Sequence, residues 1–234
     1  MKYEAILFDL DGTLLPMDND QFTYGYMKLL AKTMAPYGYQ PETLIQAVWK
    51  GVSSMVKNDG SRKNSEAFWE TFTGIFGPQV YEQLPVFDRF YREQFQEAAA
   101  YTAPNPLAKE AVKLARQKAA KVILATNPLF PPCGVETRLS WIGLKPEDFD
   151  YVTNYENSCY CKPNPKYFEE ISVKQKLKAQ NCLMIGNDVQ EDVEASNAAG
   201  LDCYLVTDNL INRKEMPECK RGSFEELISF LEML

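Results

Sequence analysis

The stretch that decides the fold of this chain is AILFDLDGTLL, residues 5–15. Its apolar residues 5–8 are followed at once by acidic residues and a glycine, which is typical of a fully buried strand that ends in a tight turn. Because side chains alternate along a strand, Asp9 and Asp11 should lie on one side of the chain. Gly12 lets the backbone turn sharply after them. The stretch therefore predicts two carboxylates that act on one reacting centre at the exit of a buried strand.

A helical pattern covers the next segment, residues 21–98. Apolar residues recur three and four positions apart in four stretches, which predicts four amphipathic helices that pack into a small bundle. The aromatic residues on the apolar faces, among them Phe68, Phe72 and Phe87, are interpreted as the core of this bundle rather than as a surface for a base or a cofactor. We therefore predict a helical domain inserted at residues 16–98.

From Asn105 onward, strand-like apolar runs alternate with helical stretches. This alternation predicts a mainly parallel sheet covered by helices on both faces. Joined to the first strand, the region forms one α/β domain, residues 1–15 and 99–234. Right-handed crossovers place the carboxyl ends of all its strands at one edge of the sheet, where parallel sheets bind ligands. Side chains that follow the strands are therefore the candidates for chemistry.

Three further sets of polar residues follow predicted strands or precede a predicted helix. Thr126 and Asn127 end the second strand, where a hydroxyl and the following backbone amides can donate to a phosphate oxygen. Lys162 lies in a loop and supplies a compact cation suited to a phosphoryl group or to crowded carboxylates. Asp188 and Asp192 follow a later strand and are four residues apart, so they share the first turn of a helix.

The four sets together resemble the signature motifs of the haloacid dehalogenase superfamily. Its first motif is an apolar strand followed by Asp-x-Asp-Gly-Thr-Leu, which matches residues 8–14. Thr126 matches the second motif, the Lys-Pro-x-Pro run that begins at Lys162 matches the third, and residues 185–192 match the acidic fourth motif. One departure is Asn187, which stands where many members have a glycine before the first acid.

The resemblance covers the α/β part of the chain and implies a Rossmann-like core. The helical insert sits where members of the superfamily carry a cap of the first type, C1. The implied activity is hydrolysis of a small-molecule phosphate monoester, with the cap closing over the site and selecting the leaving group.

Charge crowding favours a divalent cation at the four aspartates. At about 4 Å and an effective dielectric constant near 20, each pair repels by roughly 4 kcal/mol, which Lys162 alone would not offset. Oxygen ligands without histidine or a nearby thiolate favour Mg²⁺. The resemblance implies that Asp9 and Asp188 bind the metal through carboxylate oxygens, Asp11 through its main-chain carbonyl and Asp192 through water.

The resemblance also implies the roles of the catalytic residues. Asp9 attacks the phosphorus and forms an aspartyl-phosphate, while Asp11 gives a proton to the leaving alcohol and later takes one from water. Thr126, Asn127 and Lys162 bind the phosphate. Since the chain has no histidine, mechanisms that use a histidine base are excluded.

Composition limits the partners of the protein. The net charge is −7, and no basic run would neutralise a row of phosphates, so we expect no nucleic-acid partner. We expect no membrane partner and a cytoplasmic location, because no apolar stretch has the length of a bilayer span and the first residues do not resemble a secretion signal. A monomer and a dimer both remain open.

Two alternatives to a phosphatase also remain open. A sugar-phosphate mutase keeps all four motifs but isomerises its substrate without net release of phosphate, and a catalytically inactive member would serve as a binding or regulatory module. Dehalogenases lack the second acid and phosphonate-cleaving members replace it, so Asp11 favours phosphate esters. The cations of the insert, Lys50, Arg62, Lys63 and Arg92, are expected to be solvated charges on the bundle surface.

Overall fold

The apolar run at residues 5–8 lies in the central part of a parallel sheet. The computed structural model describes residues 2–234, and the strands of this range are hydrogen-bonded in the order β3-β2-β1-β4-β5-β6. Every pairing between neighbours is parallel, so the predicted α/β fold is confirmed. The strands are β1 (Tyr3–Phe8), β2 (Ala119–Leu124), β3 (Tyr151–Val152), β4 (Cys182–Gly186), β5 (Asp202–Val206) and β6 (Lys220–Gly222).

Helices form an inserted bundle and two layers on the sheet. The bundle lies between β1 and β2 and contains α1 (Asn19–Met34), α2 (Pro41–Val56), α3 (Asn64–Phe76) and α4 (Leu84–Arg92), followed by a 3₁₀ segment, Gln94–Tyr101. The helices that accompany the sheet are α5 (Ala108–Lys118), α6 (Pro132–Trp141), α7 (Lys166–Gln175), α8 (Ala195–Ala198) and α9 (Phe224–Met233).

The central strand is buried on both faces, which explains why its sequence is apolar without alternation. Ile6 and Phe8 pack into one apolar cluster together with α5 and α9. Ala5 and Leu7 pack into a second cluster on the other face together with α7. Strands of parallel sheets that are covered on both sides have this kind of sequence.

The chain enters and leaves the helical insert at two adjacent linkers. Met17 pairs with Thr102 in an antiparallel bridge, and the amide of Ala103 donates to the carbonyl of Pro16 at 2.8 Å. The observed linkers thus lie at residues 16–17 and 102–103. The division into a core of residues 1–15 and 99–234 and a cap of residues 16–98 stays a prediction.

The start of α3 attaches the insert to the sheet domain a second time. Asn64 is fully buried, and its backbone amide donates to the carbonyl of Ser158 at 2.9 Å. The amide of Ser65 donates to the carbonyl of Tyr155 at 2.8 Å, and Nδ2 of Asn64 donates to the carbonyl of Tyr160 at 3.3 Å. The start of α3 is therefore hydrogen-bonded to loops of the sheet domain.

Two local features differ from the expectations. The helix predicted after β4 begins as a π-helical turn, Val189–Glu194, before it continues as α8. The short strand β6 has no alternating apolar pattern, so the sequence does not predict it. Within residues 2–234, none of the helices combines the length and the apolar character that a membrane crossing needs.

Candidate active site

The turn after β1 is packed directly against the loop after β4. Gly12 has a φ of +84°, and a Cβ atom at this position would overlap the side chain of Asn187. Thr13 Oγ1 donates to Asn187 Oδ1 at 3.0 Å, which holds the two loops together. Glycine is needed here for both the backbone angle and the close approach. This packing places Asp9 and Asp11 beside the acidic residues of the fourth motif.

Lys162 joins two of the predicted carboxylates. Its Nζ lies 2.8 Å from Asp9 Oδ1 and 2.6 Å from Asp192 Oδ1, and its side chain is 1% exposed. Burial by itself would lower the pKa of Lys162, but the charges of Asp192 and Asp9 outweigh burial and hold this pKa well above its usual value. Burial raises the pKa of Asp9, and the charge of Lys162 opposes that rise. The lysine is therefore a permanent cation between two buried acids.

Both carboxylate oxygens of Asp192 are occupied by the protein. Oδ1 accepts from Lys162, and Oδ2 accepts from the backbone amides of Asn187 at 2.9 Å and Asp188 at 3.0 Å. Gly186 leaves the space for this carboxylate, because a Cβ there would overlap it. Asp192 thus orients the lysine and the loop, and any contact with a metal through water would be additional to these bonds.

Asp188 caps the helical turn that follows it and binds an arginine. Its Oδ1 accepts from the backbone amides of Gln190 at 2.8 Å and Glu191 at 3.0 Å, the geometry of an N-cap. Its Oδ2 lies 2.8 Å from Nη1 of Arg213. Arg213 reaches this position because the amide of Val189 donates to the carbonyl of Ile211, which ties the segment after β5 to the fourth motif.

Thr126 and Asn127 lie at the same edge of the sheet. The carbonyl of Thr126 accepts from the hydroxyl of Tyr167 at 2.8 Å, and Thr126 itself lines the cavity above Asp9. The side chain of Asn127 accepts from the amide of Lys162 at 3.2 Å and donates to Glu191 Oε2 at 3.0 Å. Its side chain therefore orders the third-motif loop.

Asp11 is paired with an arginine that the sequence analysis does not single out. Nη1 of Arg138 in α6 donates to Asp11 Oδ2, and the arginine side chain is fully buried. Its Nε donates to the carbonyl of Gly134 at 3.2 Å, and its guanidinium carbon lies 4.1 Å from the centre of the Phe130 ring. Within the described part of the chain, Arg138 Nη2 and Asp11 Oδ1 have no hydrogen-bond partner. The arginine holds Asp11 in one orientation.

The charge balance of the site differs from the expectation. The sequence predicts Lys162 as the single cation facing four carboxylates, but Arg138 and Arg213 neutralise Asp11 and Asp188 as well. Crowding of charge therefore argues less strongly for a metal ion than the sequence implies. The argument for a metal has to rest on the donor atoms.

The donor atoms suit Mg²⁺ rather than a metal held entirely by side chains. Among residues 2–234, no three acidic or cysteine side chains converge as a metal-binding group. Mg²⁺ commonly uses one or two carboxylates, together with water and substrate phosphate. The carboxylates of Asp9 and Asp188 line one cavity, and no backbone hydrogen bond in the described range ends on the carbonyl of Asp11. These oxygens form a donor set that fits the ion.

A cavity of about 250 Å³ lies between the insert and the carboxyl edge of the sheet. Its floor contains six of the seven predicted site residues, Asp9, Asp11, Thr126, Asn127, Asp188 and Asp192. Lys162 contacts that floor through Asp9 and Asp192. The aromatic residues interpreted as bundle core, including Phe68, Phe72 and Phe87, also line the cavity. That interpretation is therefore incomplete, because these rings form the wall of the cavity as well as the core of the bundle.

Three arrangements are not found from the sequence. Arg138 lies on a helix whose register does not reveal which residue meets Asp11, 127 positions away along the chain. Arg213 belongs to a segment without apolar periodicity. Asn187 stands out in the sequence only as a departure from the usual motif, whereas its side chain connects Thr13 to the carbonyl of Asn209 at 2.6 Å. Of these three residues, only Asn187 is marked in the sequence, as an asparagine where the motif usually has a glycine.

Comparisons with known proteins agree with this fold. A family model described as a haloacid dehalogenase-like hydrolase matches residues 3–200. A ribulose-1,5-bisphosphate 5-phosphatase from Halopiger xanaduensis is 23% identical over 208 residues, which cover 86% of this chain and 83% of that protein. The HAD-hydrolase YfnB from Bacillus subtilis, solved with magnesium, superposes with a TM-score of 0.60 at 20% identity, covering 99% of this chain and 100% of that one. A mutant of CbbY from Rhodobacter sphaeroides, solved with xylulose-1,5-bisphosphate, gives a TM-score of 0.57 at 15% identity, covering 96% and 99%.

Proposed function

Because the chain belongs to the haloacid dehalogenase-like hydrolase family, we propose that it is a magnesium-dependent phosphatase that hydrolyses a small-molecule phosphate monoester through an aspartyl-phosphate on Asp9. The observation that carries this proposal is the pairing of Asp9 with Lys162 on the floor of a cavity that Asp11 also lines. The relative named as a ribulose-bisphosphate phosphatase supports phosphate ester hydrolysis.

Asp9 is the nucleophile of the proposed reaction. Its carboxylate oxygen forms a bond to phosphorus while the bond from phosphorus to the alcohol oxygen breaks. Lys162 holds Asp9 in place at 2.8 Å and keeps positive charge beside the transferring phosphoryl group. Thr126 and Asn127 line the same cavity. The hydroxyl of Thr126 and the backbone amide of Asn127 bind the equatorial phosphate oxygens in the proposed reaction.

Asp11 is the general acid and base. It donates a proton to the departing alcohol and then accepts one from the water that hydrolyses the aspartyl-phosphate. Arg138 donates to the carboxylate of Asp11 and fixes the direction of its carboxyl group. Asp11 must therefore take up and release its proton while it remains in contact with a buried guanidinium.

Mg²⁺ would be held by the carboxylates of Asp9 and Asp188 and by the carbonyl of Asp11. When bound, it supplies positive charge that offsets the negative charge of the phosphate as the nucleophile approaches. Asp192 orients Lys162 and the loop that carries Asp188.

Phosphate release in the presence and absence of Mg²⁺ tests the proposal. We expect release from at least one compound in a panel of sugar phosphates, nucleotides and small phospho-acids, loss of that release with EDTA and recovery with excess Mg²⁺. Release that EDTA does not affect would remove the metal from the proposal. Isomerisation of a sugar phosphate without net release would identify a mutase instead.

Replacing Arg138 by methionine is expected to lower kcat by about 10²-fold, because Asp11 loses the group that orients its carboxyl. The same replacement in an Asp11→Asn background should change kcat little, since the residue that it orients is already inactive. Arg92→Met is the matched control. Arg92 is an exposed arginine of α4, and it lies 3.8 Å from Glu136 of α6, the helix that also carries Arg138. Equal losses of kcat in both backgrounds would show that Arg138 acts on the fold rather than on Asp11.

A further inference from the structure

The wall of the cavity opposite Asp9 and Asp11 consists mainly of aromatic side chains. On the side of the insert it includes Phe22, Tyr26, Phe68, Trp69, Phe72 and Phe87. Tyr155 and Phe130 of the sheet domain continue this surface. The alcohol part of a phosphate ester bound at Asp9 would have to lie against these rings.

Four of the aromatic side chains at the cavity bind one another through their polar atoms, whereas Asn19 and Thr23 of α1 add two polar side chains to its lining. The hydroxyl groups of Tyr26 and Tyr91 are 3.0 Å apart and form a hydrogen bond. Nε1 of Trp69 donates to the hydroxyl of Tyr155 at 3.3 Å. These bonds use two of the four donor hydrogens of these groups, because each hydroxyl carries one hydrogen and the indole carries one. The wall therefore offers apolar surface far more than hydrogen bonds to an anion.

Charged residues at the cavity also disfavour a second anionic group. Of the described residues that line it, Arg213 is the only basic one, and it is paired with Asp188 on the metal side. Asp88 of α4 lines the cavity on the insert side and is exposed to solvent there. A second phosphate or a carboxylate at this end would meet an aspartate and aromatic rings instead of a cation.

The cations of the insert do not change this balance. Lys50, Arg62, Lys63 and Arg92 are absent from the residues that line the cavity. Arg62 is paired with Glu70 on the surface, and Arg92 lies 3.8 Å from Glu136. Within residues 2–234, the insert thus places no basic side chain on the wall that would meet the leaving group.

We propose that the substrate is a phosphate monoester of a bulky, mostly apolar alcohol without a second phosphate or carboxylate. This inference rests on the proposed phosphatase function and specifies its substrate class. It separates the chain from the relatives named above for bisphosphorylated sugars, since a bisphosphate needs a cation at the end of the cavity where this chain has Asp88.

Hydrolysis of three esters of aliphatic alcohols tests the inference: 2-phenylethyl phosphate, 3-phosphoglycerate and ribulose 1,5-bisphosphate. Because all three leaving groups are aliphatic alcohols, the three esters have comparable intrinsic reactivity toward hydrolysis. With Mg²⁺ present, we expect kcat/KM for 2-phenylethyl phosphate to exceed that of each of the others by at least about tenfold, because a single methylene in an apolar pocket already discriminates by about 10- to 200-fold.

Reversing the charge of one residue provides the matched comparison. Asp88→Lys is expected to raise kcat/KM for ribulose 1,5-bisphosphate relative to 2-phenylethyl phosphate by about tenfold, because it places a cation beside the second phosphate. Glu93→Lys makes the same charge change at an exposed residue that does not line the cavity, and it should leave the ratio unchanged. Both sites are exposed, so neither change disturbs the core.

The outcomes separate the two proposals. Faster hydrolysis of the bisphosphate or of 3-phosphoglycerate by the unaltered protein would overturn the inference and leave the phosphatase function intact. Equal effects of Asp88→Lys and Glu93→Lys on the ratio would also overturn it, because the selectivity would then follow net charge rather than the wall of the cavity. Absence of phosphate release from all three esters and from the wider panel would overturn the phosphatase function, and this inference with it.

Discussion

Asp9→Asn is expected to abolish turnover, with kcat lowered by about 10⁴-fold or more, since the amide oxygen is a poor nucleophile toward phosphorus. The replacement has nearly the same shape, and its Oδ1 can still accept from Lys162 at the position where Asp9 does so at 2.8 Å. The variant should therefore fold and should still bind a phosphate ester. The measurement is phosphate release, together with intact-protein mass spectrometry for a phosphorylated form after rapid quenching.

The control for this variant is Asp202→Asn. Asp202 is an exposed aspartate at the start of β5, where its carboxylate accepts from the hydroxyl of Tyr3 at the edge of the sheet opposite the cavity. Turnover should be unchanged in this control. An Asp9→Asn protein that retains more than a few per cent of the original kcat would rule out Asp9 as the nucleophile.

Lys162→Met is expected to lower both stability and activity. The lysine is the buried partner of Asp9 and Asp192, and its removal leaves two buried carboxylates without a cation. Breaking a buried ion pair by removing one partner typically costs about 3–5 kcal/mol, so we expect a loss of about 4 kcal/mol in the free energy of unfolding at pH 7. Activity should fall by about 10³-fold, because the charge beside the transferring phosphoryl group is lost.

The loss of stability in Lys162→Met should depend on pH. Burial raises the pKa of Asp9 in the folded protein above its value in the unfolded chain, and without the lysine the charge that opposes this rise is lost. At pH values between the unfolded and the folded pKa of this group, the folded variant binds more protons than the unfolded chain. Its stability therefore falls as the pH rises through this range. The loss in the free energy of unfolding, relative to the unaltered protein, should therefore be smaller at about pH 5 than at about pH 8, as measured by urea unfolding.

Lys166→Met is the control for this effect. Lys166 is an exposed lysine at the start of α7, four positions from Lys162 and in the same segment. Its replacement should change the free energy of unfolding by less than about 0.5 kcal/mol at either pH. A deficit in Lys162→Met that is the same at both pH values would show that lost packing, and not unpaired carboxylates, destabilises that variant.

The sequence was sufficient for the fold because its decisive signals are local. The apolar run of β1 and the alternation of strands and helices after Asn105 reflect burial on two faces, which requires apolar residues wherever the strand lies. The four motifs follow or flank these strands, and parallel topology alone brings Asp9, Thr126 and Asp188 to one edge. Their convergence at this edge therefore follows from the sequence alone.

The tertiary structure decided which charges meet at that edge. Arg138 and Arg213 reach Asp11 and Asp188 from segments 127 and 25 residues away, and no local pattern marks either residue. Helical periodicity shows which face of α6 is buried, but it does not show what lies opposite that face. Pairing across such distances depends on the packing of whole elements, so the count of cations at the site could not be obtained from the sequence.

The sequence by itself determined the parallel sheet, the inserted helices and the set of residues brought to the carboxyl edge, because periodicity and strand ends are properties of short segments. Only the tertiary structure decided that the aromatic residues of the insert, such as Phe68 and Trp69, face a cavity as well as one another, and that Asp88 is the charge beside them. An apolar helix face has the same sequence pattern whether it packs against a helix or encloses a ligand, since both environments exclude water.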